Sequence, residues 1–527
     1  MTWPPASRFL RSHVARSIGV YVVVAILWEI VGRLELIGGG AFPALSDILS
    51  TLWTERSLYP AHTLATTSSA FIGYVIGNVI AIGAAVAFMV SPRLERLMRG
   101  IGIALFSVPL IAVVPILVLA FTGSTPRIIL AAVAVYFTTM ASTLIGLRDI
   151  DPRLEDFVMV SGGSRSDVLR RIRLRNSVPG IVAGLRVGAP AAVLGAILAE
   201  YGSGTRTGLG TFLLGSLGQG DPARLWGIGF VATAISAGAY VLLGYLERRL
   251  AGKTTSASVM TVTPATLGGT DNQSRSTRAL FAVASFAATL GAWQLFVSGV
   301  GLSPIIARGP IDFVRYLVSS PQAAASRGRL LEALGETVPL TFVGLGIGLL
   351  FAFVLATFLS LRPLIAQGVM PFALISQTMP LVALTPLIVL IFGRGMTTTM
   401  VITISVTFFP AFVATAQGLS QAHSGTIDVV KTYNGSDLQV LRLVQVPTAV
   451  PYLISAARLA APRALLGVMI AEWLATGKGL GQLLNESRGL LDYGMIWAVA
   501  AISVFIAAGF YAGIGLVERS VARRYAN

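Results

Sequence analysis

The chain of 527 residues contains no cysteine, so it has no disulfide, no thiolate metal site and no cysteine nucleophile, and its redox compartment cannot be read from its thiols. Charge is scarce as well, with Asp, Glu, Lys and Arg together making up 12% of the residues. Soluble globular chains carry about 25%. Histidine occurs three times, at His13, His62 and His423, far apart and without ligand spacing. No HExxH, GxSxG or GxxxxGK[ST] sequence is present, so metalloprotease, serine-hydrolase and phosphate-loop chemistry are not indicated. Thr476-Gly477-Lys478-Gly479 lacks the upstream glycine and the following hydroxyl residue of a phosphate loop.

Hydrophobic residues make up 54% of the chain. A bilayer core about 30 Å thick requires roughly 20 apolar residues per helix, and about twelve such runs occur. They lie roughly at 17–37, 67–90, 101–122, 128–148, 180–200, 225–247, 279–300, 337–360, 370–393, 399–420, 452–474 and 495–516. The expected fold is therefore an all-α polytopic membrane protein. The first run follows Arg8, Arg11 and Arg16 but has no small-residue cleavage site, so it reads as a retained spanning helix. The net charge of +16 is parcelled into short loops, the pattern of membrane orientation and not of a nucleic-acid surface. Arg93, Arg96 and Arg99 follow the second run, Arg148 to Arg175 the fourth, and Arg248, Arg249 and Lys253 the sixth, which places both termini in the cytoplasm.

A cytoplasmic loop occurs twice. Glu155 to Arg186 superimposes on Ile427 to Arg458 without a gap at a shift of 272, matching Gly163 with Gly435, Ser164 with Ser436, Leu169 with Leu441, Arg170 with Arg442, Pro179 with Pro451 and Arg186 with Arg458. The repeat extends outward at shifts of 271 or 272. Phe71, Gly73 and Gly77 answer Phe342, Gly344 and Gly348, a small-residue face for close helix approach. Pro109, Leu110, Ala112 and Pro115 answer Pro380, Leu381, Ala383 and Pro386, and Ala199-Glu200 answers Ala471-Glu472 ahead of Gly208-Leu209-Gly210 and Gly479-Leu480-Gly481. The segment after each Glu reads as interfacial, with Trp226 and Trp497 as boundary anchors. Three domains follow: a first transmembrane unit at 1–250, a Ser/Thr/Gly-rich cytoplasmic linker at 251–278, and a second unit at 279–527.

Each loop reads as a short helix, a Gly-Ser break, a second amphipathic helix and a proline-marked return to the membrane. In the first copy Gly163 supplies the turn that lets Ser164 or Ser166 cap the second helix, whose apolar side is Val168, Leu169 and Ile172. An amphipathic helix of this kind suits a partner's groove.

This loop, with an acidic residue, Gly163 or Gly435 about eight residues on, and a proline before the membrane, resembles the signature loop of inner-membrane permeases of binding-protein-dependent ATP-binding-cassette importers. Ala-Glu followed by Gly-Leu-Gly, Trp226 or Trp497 entering the last helix, Leu246-Glu247-Arg248-Arg249 or Val517-Glu518-Arg519 closing it, and Ala41-Phe42-Pro43 are similar to the nitrate, sulfonate, taurine and thiamine-precursor branch. The resemblance implies a type I importer fold of two six-helix halves fused on one chain. It also implies two copies of a cytoplasmic ATPase that use ATP and Mg, an extracytoplasmic solute-binding protein, and membrane lipid around the chain. No cofactor, metal, catalytic residue or nucleic acid is expected on this chain, and the setting is a prokaryotic inner or plasma membrane. Its solute would be a small organic anion such as a sulfonate, nitrate, or a vitamin-like heterocycle. The ATPase-coupling residues it implies are Glu155, Gly163, Ser164, Asp167, Leu169 and Arg170, with Asp428, Gly435, Ser436, Asp437, Leu438, Leu441 and Arg442. The chain departs from the family's acidic-Ala-Ala triplet at Glu155-Asp156-Phe157 and Ile427-Asp428-Val429, and from its mid-loop proline at Arg175, so the two loops can grip their partners unequally.

Ser107, Pro109, Gln377, Met379 and Pro380 fall at corresponding places and are candidates for the pathway. Glu200 and Glu472 either line an outer gate or hydrogen-bond the glycine turn that follows them. Arg186, Arg458 and Arg463 are candidates to attract an anion, but Arg186 and Arg458 lie about two turns from the loop prolines, near the cytoplasmic boundary, where snorkelling or bonding to the loop is the alternative. The alternative to an ATP-driven importer is an ion-coupled secondary transporter with two internal repeats, which has no use for a matched pair of docking loops.

Overall fold

The computed structural model describes residues 6–251, 275–301, 303, 305–362, 365, 366, 369 and 379–525. The linker expected at 251–278 and the candidate Gln377 fall largely or wholly outside these residues. Every regular element among the described residues is helical. That is the outcome lipid dictates, since a helix satisfies its own backbone where no water can.

Among the described residues, nine helices are long and apolar enough to cross a membrane. They are Tyr59–Val90, Thr125–Arg148, Val178–Ser203, Pro222–Arg249, Leu280–Gly299, Ala323–Ser360, Met396–Ser420, Asp437–Thr476 and Tyr493–Val521. A tenth counts if the bent pair Gly100–Ser107 and Leu110–Ala120 is one span. The spanning helix expected at 101–122 is thus broken, by 94°, with Val108 and Pro109 at the break. Pro109 lacks an N–H and its ring clashes with a continuing helix, so the chain leaves the first segment and restarts at Leu110. Pro380 repeats this backbone (φ −65°, ψ 107°) ahead of Leu381–Phe392. The helix Ala6–Arg33 and the short Leu381–Phe392 occupy the remaining two of the twelve expected positions.

The small-residue face is a helix seam in both halves. A side chain at Gly77 would press on the Ala132 carbonyl at 2.5 Å, and one at Gly344 on Thr403 Cγ2 at 2.5 Å, so helix 59–90 lies hard against 125–148, and 323–360 against 396–420. The last helix of each half starts where an aspartate caps it: Asp221 Oδ1 accepts from Arg224 N, and Asp492 Oδ1 accepts from Met495 N, both at 3.0 Å.

Trp226 and Trp497 are not boundary anchors. Both are buried, and their indoles donate to the Ala41 and Ile306 carbonyls at 3.2 and 2.9 Å, while Trp28 and Trp293 donate to Pro43 and Arg308 at 3.1 Å. The four indoles clamp the loop after each half's first helix. An indole N–H satisfied by a protein carbonyl has no need of the headgroup water that draws tryptophan to the interface.

The halves share one apolar core, which runs from Ile111 and Val114 through Ile197 to Leu465 and Met469. Tyr201 Oη donates to the Val382 carbonyl at 2.6 Å, and Arg488 Nη1 donates to the Gly202 carbonyl at 2.8 Å. Ser285, on the first helix of the second half, accepts from Gly100 N and donates to the Leu97 carbonyl, each at 2.7 Å.

Candidate functional site

The first loop begins with helix Pro152–Val160, which Asp151 caps by accepting from Arg153 N at 2.9 Å. The left-handed residue at its end is Gly162 (φ 82°), and in the second copy it is Asn434 (φ 60°), one of the few side chains that tolerate this region. The turn expected at Gly163 is therefore made one residue earlier. Gly163 is required for another reason: a Cβ there would lie 2.5 Å from Val158 Cγ1 and 2.9 Å from the Val158 carbonyl oxygen. Gly435 meets Val430 in the same way, at 2.5 and 2.7 Å.

Ser164, not Ser166, is the cap. Its Oγ accepts from Asp167 N at 3.3 Å while Asp167 Oδ2 accepts from Ser164 N at 2.9 Å, and Ser436 makes the same box with Gln439. Hydrogen bonds from Ser164 hold the Asp167 carboxyl below its ordinary value of 3.8. A lowered pKa adds stability that is present above 3.8 and is lost as pH falls through the still lower folded value. Amide exchange at residues 164–168 should accordingly accelerate on acidification below that value, and an Asp167→Asn variant should show no such step.

Beyond the caps both copies pass through a π turn, Val168–Arg173 and Leu441–Gln445. The second copy then runs without a break into Val446–Ala471, whereas Ser177 intervenes in the first. The apolar side of this helix does not face a partner. Val168, Val440, Leu441 and Val444 are buried against the chain's own bundle, with Leu169 packed beside Leu144 and Leu147. The exposed apolar residues lie elsewhere: Phe157 (71% exposed) and Val160 (88%) on the preceding helix, then Val429, Tyr433 (86%), Leu438 and Leu443 in the second copy. Helical periodicity shows that a face is apolar and is silent on whether it meets its own bundle or another protein. Arg170, Asp428, Asp437 and Arg442 are exposed alongside them. Glu155 is tied to Arg173 at 2.6 Å, and Arg173 also donates to the Leu147 carbonyl; the corresponding Ile427 and Gln445 carry no such ion pair, so the two loops are braced differently.

At the other end of the bundle Glu200 and Glu472 are each 1% exposed. Glu200 accepts from Thr66 Oγ1 and Gly210 N, both at 2.7 Å; Glu472 accepts from Thr337 Oγ1 at 2.7 Å and Gly481 N at 2.9 Å. Each threonine also accepts from the next N–H, of Leu209 or Leu480, at 2.8 Å. Each carboxylate thus knots its glycine turn to the second long helix of its half. Arg127 adds an ion pair at 3.5 Å to Glu200, whereas its counterpart in the second half is Thr398.

Arg186 and Arg458 are engaged away from any solute. They pair with Glu247 and Glu518 at 2.8 and 2.7 Å and lie over the rings of Tyr240 and Tyr511 at 4.1 and 4.2 Å. They bond to the last helix of their half and not to the loop.

Between the halves lies a cavity of about 370 Å³. Its walls follow the internal repeat, lined by the corresponding residues Pro190 and Pro462, Leu110 and Leu381, and Leu194 and Leu466. Met379 and Pro380 line it; Pro109 and Ser107 are buried behind their neighbours Val108 and Phe106, which do line it. Arg463 also lines it, a residue whose register with Ala191 in the first half was visible in the sequence.

The family model for the binding-protein-dependent transport system inner membrane component matches residues 77–252 and again 325–526. The chain belongs to that family. It is an inner-membrane, multi-pass permease with the family's domain present twice. Over 210 residues it is 32% identical to a probable ABC transporter permease protein of Haemophilus influenzae, covering 38% of this chain and 85% of that one. It is 27% identical over 207 residues to the formylaminopyrimidine transport permease protein ThiX of Halalkalibacterium halodurans, 39% of this chain and 80% of that one. With the taurine transport system permease protein TauC of Escherichia coli it shares 28% identity over 226 residues, 41% of this chain and 79% of that one. No solved structure matches the permease.

Proposed function

We propose that this permease forms the whole translocation pathway of an ATP-driven importer, with both halves supplied by one chain. Each relative covers about two fifths of this chain yet most of its own length, as a one-unit permease would on a two-unit chain. The units are 1–250 and 279–527, joined by a cytoplasmic linker at 251–278 that keeps them at high effective concentration for each other. The observation that carries the reading is the pair of capped loops with exposed apolar residues, Phe157 and Val160 in one and Tyr433 and Leu438 in the other. Helices 178–203 and 446–471 both run away from these loops toward the end where Arg488 meets Gly202, so the loops share one end of the bundle.

Two cytoplasmic ATPase subunits would seat these loops, and their closure on ATP and Mg would swing the helices around the cavity between inward-open and outward-open states. A solute-binding protein would deliver a small solute to the opposite, extracytoplasmic face, next to the Glu200 and Glu472 turns. The relatives' names span a taurine and a formylaminopyrimidine permease, a range of small organic solutes. Both termini then lie in the cytoplasm, and ATP hydrolysis belongs to the partners.

The test is purification of the chain under gentle detergent together with its ATPase. A complex that hydrolyses ATP, and that falls apart when Phe157, Val160 and Tyr433 are changed together to serine, is the expected result. Solute uptake that persists in ATP-depleted cells would instead favour the ion-coupled carrier.

A further inference from the structure

Arg463 stands in the cavity between the halves, with no counter-charge among the described residues. It sits eight residues before the end of helix Val446–Ala471, about 12 Å along the axis from that end at 1.5 Å per residue. Its neighbours Pro462 and Ala464 are buried, while Arg463 itself is open to the cavity. Among the described residues it has no hydrogen-bond or ion-pair partner, in contrast to Arg186 and Arg458, which are both paired with glutamates. No aspartate or glutamate lines the cavity among those residues either, whose polar lining is otherwise Thr138, Ser142, Tyr240 and Ser405.

An unpaired cation at membrane depth is expensive to keep, and such residues mark solute or ion pathways. A guanidinium is suited to the task because its planar fork grips a carboxylate or sulfonate through two parallel hydrogen bonds. The rest of the wall is apolar and partly aromatic, with Phe106, Phe137 and Phe409. The position related by the internal repeat is Ala191, so among the described residues the cavity holds one such charge. One guanidinium neutralises one negative charge. A dianion would leave a second charge uncompensated in an apolar space, and a cation would face like charge.

We infer that Arg463 is the anion-binding residue of the pathway, and that the transported solute is a small organic monoanion, a carboxylate or sulfonate with an apolar or aromatic body. This inference rests on the reading of the chain as an importer. A cavity of about 370 Å³ lies within the range that small-molecule sites occupy.

The experiment uses the full-length chain in lipid nanodiscs and isothermal titration with four probes of similar size: benzenesulfonate, benzoate, benzyl alcohol and benzylamine. The wild-type chain should bind the two anions and neither of the others. Arg463→Ala should weaken anion binding by about tenfold or more, equal to ~1.4 kcal/mol. Arg463→Lys should retain part of it, since charge remains while the fork is lost. Unchanged thermal unfolding and unchanged ATPase capture by both variants show that only the site has altered. Binding of no anion by the wild-type chain, equal anion binding by Arg463→Ala, or binding of benzylamine would each overturn the inference. A chain that captures ATPase yet fails in these ways loses the anion site and keeps the importer reading; a chain that binds sulfonate but captures no ATPase keeps the site and loses that reading.

Discussion

Replacing Gly163 by leucine is expected to abolish uptake while leaving the chain inserted in the membrane, and Gly435→Leu should do the same from the second loop. A leucine Cβ at either place would stand 2.5 Å from a valine Cγ1 and inside 3 Å of a valine carbonyl, of Val158 in one copy and Val430 in the other. The side chain can rotate away, but the carbonyl belongs to the helix that carries Phe157 and Val160, or to the one that carries Val429 and ends just before Tyr433, so relief requires moving the surface proposed to meet the ATPase. Overpacking of this kind typically costs about 1–3 kcal/mol. A loss of ~1.4 kcal/mol in docking already corresponds to tenfold weaker binding. The spanning helices are untouched, so insertion and thermal unfolding should be near wild type. Uptake by whole cells, beside ATPase capture from the same membranes, checks the prediction; full uptake by both variants would refute the docking role. Asn434→Gly is the control, because glycine accepts the left-handed backbone there and should leave uptake intact.

Removing the buried carboxylates should produce the largest losses of stability, and Glu200→Leu should exceed Glu472→Leu. Each change strands a threonine hydroxyl and a glycine N–H that now donate to the carboxylate. Unpaired buried donors cost about 1–3 kcal/mol apiece, so ~2–6 kcal/mol is expected at Glu472. Glu200→Leu additionally leaves the buried Arg127 guanidinium without its ion pair, and breaking a buried pair costs about 3–5 kcal/mol. A second substitution, Arg127→Leu, should recover part of the loss in the first half. The matching change at Thr398 has no charge to relieve and should recover nothing. Thermal unfolding of the detergent-solubilised variants gives the order directly. Equal destabilisation at the two glutamates would show that the Arg127 pair contributes nothing.

Much of this arrangement was legible before any coordinates. The constant shift between the two loops fixes which residues correspond, and the glutamate followed by Gly-Leu-Gly appears in both halves because one carboxylate and one tight turn form a local knot. Other features depend on the third dimension. Pro109 announces an interruption, but nothing in the local sequence sets its 94° direction, which depends on what packs beside it. The alternation of apolar residues from Val168 to Ile172 is the same whether that face meets its own bundle or a partner, and here it meets the bundle, leaving Phe157 and Val160 outside. Trp226 and Trp497 look like interface anchors because an indole between polar and apolar sequence usually is one; their partners, the Ala41 and Ile306 carbonyls, lie nearly two hundred residues away in the chain. Arg463 aligned with Ala191 shows a broken correspondence, while its lack of a counter-ion among the described residues is visible only in the structure, where Arg186 and Arg458 pair with Glu247 and Glu518.

That broken correspondence bears on how such a pore can be charged at all. Two identical subunits meeting on a dyad can present ionic groups to the channel only in even numbers, so a solitary cation is forbidden to them, and a doubled one would repel itself across a narrow gap. Joining the two units end to end removes that parity rule and lets an odd charge stand near the axis.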